Sequence, residues 1–188
     1  MTQNKRLFVD MDGTLARFHD EAQYLERMWE KDFFRDLKPF ENMVKGLKEF
    51  MHRNPETEVF ILSAAIDGEP PYCRKEKHAW LDKYLPEIDP EHRLFTKVGV
   101  SKSVYIPGGI TADDVLLDDY NVGLECWVKD GGTAVKCVNN INHKGLNGPL
   151  WEGTLLRNGD TPEQICKDLE GILKEQPKAI FKVRGRKP

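Results

Sequence analysis

Asp10-Met11-Asp12-Gly13-Thr14 sets two carboxylates two residues apart, directly after the apolar run Arg6-Leu7-Phe8-Val9. On a continuing strand the pair would face opposite sides. The Gly13 turn breaks the strand and lets both face one pocket. Two close carboxylates repel unless a cation lies between them, which implies a hard divalent ion such as Mg²⁺. The competing reading is a turn with solvated aspartates. A second carboxylate pair, Asp118-Asp119, ends the run Val115-Leu116-Leu117, and would complete an oxygen-rich metal site. Ser63 follows Val59-Phe60-Ile61-Leu62, where a hydroxyl and neighbouring backbone N–H groups can hold a phosphate oxygen at a helix start.

These residues need strands that end side by side. The runs at Arg6–Val9, Val59–Leu62, His92–Thr96, Val115–Leu117 and Ala134–Val138 alternate with helical patterns. That alternation predicts an α/β fold, a Rossmann-like parallel sheet flanked by helices. Ligands of such sheets sit at the carboxyl ends of the strands. Met43, Val44, Leu47, Phe50 and Met51 form one helical stripe, and Arg74 to Leu85 is a second helix with Ala79, Trp80, Leu81 and Tyr84 near one face. Thr161-Pro162-Glu163-Gln164 is a capping box opening a helix whose core candidates are Ile165, Leu169, Ile172 and Leu173. The aromatic-rich stretch from Phe18 to Phe34 breaks the alternation and predicts a small helical cap inserted after the first strand. The expected division is 1–16 and 55–188 for the core, and 17–54 for the cap with its return helix. Val104 to Asp113 reads as a surface loop, and the basic stretch from Lys178 to Pro188 as a solvated tail or short edge strand.

A chain of 188 residues suits one domain with an inserted piece, able to bury roughly 70% of its unfolded surface. Its 39% hydrophobic and 31% charged content excludes disordered, collagen-like and coiled-coil classes. A net charge of −3 argues against polymeric nucleic acid as a partner. No apolar run approaches the ~20 residues of a membrane span. The opening residues run straight into the first strand, with no room expected for a signal peptide. Cys73, Cys126, Cys137 and Cys166 show no paired spacing and read as thiols in a reducing, cytoplasmic compartment. The five histidines (His19, His52, His78, His92, His143) lack ligand spacing and read as surface or packing residues.

Asp10-x-Asp12-Gly13-Thr14, Ser63, a following lysine and Asp118-Asp119 resemble the four motifs of haloacid dehalogenase superfamily phosphohydrolases. The stretches Asp10 to Phe18, Trp29 to Leu37, Lys77-His78-Ala79-Trp80 and Leu116 to Tyr120 are similar to the 5′(3′)-deoxyribonucleotidase family within it. The resemblance runs to about Trp151. It implies a Mg²⁺-dependent phosphomonoesterase acting on nucleoside monophosphates, with deoxyribonucleotides favoured and a homodimer allowed. The alternative is a phosphatase for another small ester such as a sugar phosphate, or a binding module that kept the fold.

The resemblance implies that Asp10 is the nucleophile that forms an aspartyl-phosphate. Asp12 gives a proton to the leaving oxygen and then takes one from water. Asp12 also separates the chain from the dehalogenase branch, which lacks the second carboxylate. Mg²⁺ would be held by the Asp10 carboxylate, the Asp12 main-chain carbonyl and the Asp118 carboxylate, with Asp119 acting through a water or one step removed. Ser63 and Ala64 would meet the phosphate. The motif lysine is Lys102 by preference, with Lys77 and Lys97 as alternatives; Lys77 is also a candidate substrate contact. Phe18 and Trp29 fall where aromatic residues form a nucleobase slot, and Phe33 and Phe34 would pin the cap to the core. Relative to the animal enzymes the cap is shorter, Ala64 stands where they carry a hydroxyl, and Tyr120 stands where they carry a basic residue. All three bear on recognition more than on the chemical step.

Overall fold

The computed structural model describes residues 5–68, 72–139 and 151–174. The basic tail from 178 lies outside them, as do residues 140–142. Six parallel strands form one sheet: β1 (Arg6–Val9), β2 (Glu58–Ala65), β3 (Arg93–Lys97), β4 (Asp114–Asp118), β5 (Thr133–Val138) and β6 (Thr154–Arg157). Their order is β3-β2-β1-β4-β5-β6, which puts β1 and β4 beside each other at the centre. The helices are α1 (Tyr24–Arg27), α2 (Phe33–Asp36), α3 (Glu41–Arg53), α4 (Tyr72–Tyr84), α5 (Asn121–Lys129) and α6 (Pro162–Lys174).

Between their charged ends the central strands are apolar because both faces are covered. Leu7, Val9, Val115 and Leu117 look to one core, with the buried faces of α3, α4 and α6. Phe8, Leu62 and Leu116 look to the other, with Leu124 and Trp127 of α5. Register is pinned at the far end from the site, where Arg6 pairs with Asp114 through Nε–Oδ1 (2.6 Å) and Nη2–Oδ2 (2.8 Å). A forked guanidinium–carboxylate contact tolerates little slip. Thr161 caps α6 as expected, its Oγ1 accepting from the Gln164 N–H at 3.3 Å.

The structure departs from the sequence reading in several places. The sixth strand was not expected, because only Leu156 of β6 is buried and an edge strand leaves little pattern. Helix α5 was not singled out either. β2 does not stop before Ser63 but pairs with β3 through Ala65, and α4 begins only at Tyr72. Ser63 therefore sits inside a strand rather than at a helix start. The small helical cap is a 3₁₀ turn (Phe18–Asp20) and two single-turn helices, α1 and α2. The return helix α3 packs on α6, with Gly46 close against Ile165, so it joins the layer that flanks the sheet.

Candidate functional site

Register builds the centre of the site. Val9 pairs with Leu117, and the Asp10 N–H donates to the Leu117 carbonyl at 2.9 Å. The next residues of the two strands, Asp10 and Asp118, thus emerge side by side. Carboxylate oxygens of Asp10, Asp118 and Asp119 lie within 4.8 Å of one another, and all three side chains are buried. Lys102 Nζ bridges two of them, at 2.6 Å from Asp10 Oδ1 and 2.7 Å from Asp118 Oδ2. The Tyr120 N–H donates to Asp118 Oδ1 at 2.8 Å.

Asp119 is held from several sides. Asn139 Nδ2 donates to its Oδ2 at 2.7 Å and to the Gly13 carbonyl at 3.0 Å, tying the end of β5 to the turn after β1. Lys136, buried on β5, donates to the Asp119 carbonyl. Gly13 has φ +85°, and a Cβ there would lie 2.2 Å from Asp119 Oδ2. The position therefore needs glycine both for its backbone and for the space it leaves.

Burial raises the Asp118 carboxyl above its ordinary range; Lys102 opposes this and Asp10 adds to it. Burial works against the Lys102 ammonium, yet Asp10 and Asp118 together outweigh it and raise the group above the usual lysine range. Burial lowers Lys136, with Asp119 opposing. Three buried carboxylates with one ammonium between two of them form an oxygen-only donor set with surplus negative charge. That set suits a hard divalent cation such as Mg²⁺.

A cavity of about 290 Å³ opens over this cluster. Its lining includes Asp10, Asp12, Phe18, Ser63, Ala64 and Lys102. Phe18 stacks on Phe34 (5.9 Å, 8°), and Phe33 and Phe34 are buried in the core. Trp29 is not among the lining residues; it is half exposed and lies against Gly68. Lys77 is fully buried on α4, with its Nζ donating to Asp12 Oδ2 at 2.6 Å, Ala64 O at 2.6 Å and Ser63 Oγ at 3.0 Å. Lys97 is largely exposed, 3.9 Å from Asp67. Of the three lysines considered, only Lys102 contacts Asp10 and Asp118.

Sequence reasoning passed over several neighbours of the site. His19 packs edge-on against Phe18 and Tyr24 (5.2 Å each) and also lines the cavity, 3.8 Å from Asp119, where burial lowers its imidazole. Asn139 and Lys136 carried no motif, and only proximity in space identifies them. Asp130 accepts from Ser101 Oγ (2.9 Å) and from Ser103 Oγ, so it anchors both neighbours of Lys102. All four cysteines are free thiols, with Cys126 at the cavity wall. Among the described residues no helix is long and apolar enough to cross a membrane.

Comparison with known proteins adds to this geometry. The family model described as "5' nucleotidase, deoxy (Pyrimidine), cytosolic type C protein" matches residues 19–127. That span holds Ser63, Lys77, Lys102, Asp118 and Asp119, and begins after the Asp10–Thr14 turn. The human mitochondrial 5'(3')-deoxyribonucleotidase is 34% identical over 93 residues, which are 49% of this chain and 36% of that protein. The chain thus matches little more than a third of that curated relative's length. Among solved structures, a HAD hydrolase of family IA, variant 3 from Entamoeba histolytica superposes with a TM-score of 0.56 at 13% identity, covering 91% of this chain and 100% of that one. D,D-heptose 1,7-bisphosphate phosphatase from Burkholderia thailandensis gives 0.55 at 10%, covering 88% and 98%. The B. bronchiseptica phosphatase of the same name, complexed with magnesium and phosphate, gives 0.54 at 10%, covering 89% and 98%. At such identities these likenesses establish the fold alone: a HAD-like α/β sheet.

Proposed function

The chain belongs to the cytosolic type C 5′ nucleotidase family, and from that premise we propose that it is a Mg²⁺-dependent phosphomonoesterase of nucleoside monophosphates, with deoxyribonucleotides preferred. The observation that carries this reading is the convergence of Asp10, Asp118, Asp119 and Lys102 on a cavity that Phe18 also lines. A nucleotide has the two chemistries this cavity offers: an anion for the charged end and an aromatic ring for Phe18.

Asp10 is the nucleophile. Its carboxylate is buried, and Lys102 restrains it at Oδ1. It attacks phosphorus, forms an aspartyl-phosphate and divides one difficult displacement into two easier ones. Asp12 supplies the proton that the leaving oxygen needs, then accepts one from the water that cleaves the aspartyl-phosphate. Lys102 spreads its charge over the nucleophile and the incoming phosphoryl oxygens, while Ser63 and Ala64 line the phosphate side of the cavity. The Asp10 and Asp118 carboxylates and the Asp12 main-chain carbonyl would hold Mg²⁺, with Asp119 near enough to join them. Bound there, the ion neutralises charge gathered between nucleophile and phosphoryl oxygens. Phe18 offers one face to the base, where stacking is worth about 1–3 kcal/mol and tolerates different bases.

The test is phosphate release from a panel of nucleoside monophosphates and sugar phosphates, with Mg²⁺ or EDTA, by wild type and Asp10→Asn. Release from dUMP or dTMP that needs both metal and Asp10 is expected. Release from sugar phosphates alone would leave the mechanism and remove the nucleotide. No release from any ester would overturn the reading.

A further inference from the structure

Helix α4 buries two charged side chains in succession. Cys73, Glu76, Lys77 and Trp80 fall on one stripe at i, i+3, i+4 and i+7, and all four are buried. A fully buried lysine persists only when its ammonium is satisfied. Lys77 satisfies all three donor sites, through Asp12 Oδ2, Ser63 Oγ and the Ala64 carbonyl. Its Nζ also lies 5.1 Å from the Phe34 ring centroid. With its donors spent inside the protein, Lys77 has none left for a substrate phosphate. Asp12 shows the complementary asymmetry: Oδ2 is held by Lys77, while Oδ1 is buried with no hydrogen-bond partner among the described residues.

We propose that Lys77 is a positioning residue that acts through Asp12, fixing Oδ2 so that Oδ1 is the oxygen that exchanges the proton with the leaving group. This deepens the phosphohydrolase reading and rests on it. As the ester P–O bond breaks, its electron pair goes to the leaving oxygen and the proton on Asp12 Oδ1 moves to that oxygen. The carboxylate left behind stays ion-paired with Lys77. When water attacks the aspartyl-phosphate, its proton returns to Oδ1 and Asp10 leaves as a carboxylate. Glu76, one residue earlier, accepts from the Asp32 N–H (2.5 Å) and the Phe34 N–H (3.1 Å). One turn of α4 therefore holds both the cap and the acid.

Leaving-group dependence tests this assignment. A positioned acid matters most for a poor leaving group such as a nucleoside hydroxyl, and least for p-nitrophenolate. In Lys77→Met, kcat/KM, which reports the step that expels the leaving group, should fall by about 100-fold or more for dUMP and by roughly tenfold or less for p-nitrophenyl phosphate. kcat should fall for both esters, because Oδ1 also takes the proton from water in the shared second step. Asp12→Asn should show the same split, and the double variant should be no slower than Asp12→Asn alone. Equal losses of kcat/KM on both esters, additive losses in the double variant, or an unchanged kcat would each overturn the assignment. If Lys77→Met does not fold, Lys77→Gln carries the same expectation. A wild type that releases phosphate from neither ester overturns the parent reading together with this one; the other adverse outcomes overturn this one alone.

Discussion

Replacing Gly13 by alanine should unseat Asp119. Gly13 has φ +85°, a backbone conformation that costs an L-residue with a Cβ about 1–2 kcal/mol. The new Cβ would also lie 2.2 Å from Asp119 Oδ2, 2.7 Å from its Cγ and 2.8 Å from His19 Cε1. Asp119 must retreat by roughly 1 Å to reach ordinary contact. It cannot do so freely, because Asn139 Nδ2 holds Oδ2 at 2.7 Å and Lys136 holds its carbonyl. Losing a charged hydrogen bond in a buried setting costs about 1.5–3 kcal/mol. Strain and lost bond together give about 2.5–5 kcal/mol, or roughly 10 °C in Tm for a domain of this length. Differential scanning calorimetry of wild type and Gly13→Ala measures the shift, and the Asn139 side-chain amide resonances report on the broken contact. A Tm within about 2 °C of wild type, with those resonances unmoved, would refute the claim that this turn and Asp119 are packed against each other.

Other expectations follow from the same geometry. Asp10→Asn should lower phosphate release by several orders of magnitude, measured by malachite green, because no other group supplies the covalent step. Phe18→Ala should raise KM for dUMP more than about tenfold, while Trp29→Ala, outside the cavity, should leave KM near wild type; the reverse ranking in steady-state kinetics would place the base elsewhere. Glu76→Ala removes the acceptor for two N–H groups at the start of α2 and should cost about 3 kcal/mol in urea unfolding, with Glu76→Gln recovering part of it. Burial, aided by Arg93, lowers the His78 imidazole below its ordinary value of 6.5, so the unfolded chain binds that proton more readily than the folded one. Stability should therefore be fullest above that value and fall as pH drops through it, and His78→Gln should flatten the slope in pH-dependent melts.

How much was legible depends on whether the signal was local. The Asp10–Thr14 turn, the Asp118-Asp119 pair and the strands that carry them could be read, because apolar runs ending in carboxylates need no knowledge of partners. The capping box of α6 was legible for the same reason. Strand β6 was not, since an edge strand buries little and keeps no alternation. The extension of β2 through Ala65 was hidden because Ser63-Ala64-Ala65 reads equally as a strand end or a turn, and pairing with β3 decides it.

Residue type and spacing alone established an α/β sheet and a pair of acidic strand ends whose mutual repulsion calls for compensating positive charge. Those conclusions rest on covalent order and on charge repulsion, which the sequence contains. Only the tertiary structure decided which lysine meets which carboxylate. The sequence favours Lys102 and leaves Lys77 and Lys97 as alternatives for one role, yet the buried stripe of α4 carries Lys77 to Asp12 and the turn after β3 carries Lys102 to Asp10 and Asp118. The tertiary structure likewise separated Phe18 from Trp29, and brought Asn139 from the end of the neighbouring strand to Asp119. Each of these depends on the direction a side chain takes from an element whose placement is fixed by packing against distant parts of the chain, and such distances are not written in local sequence.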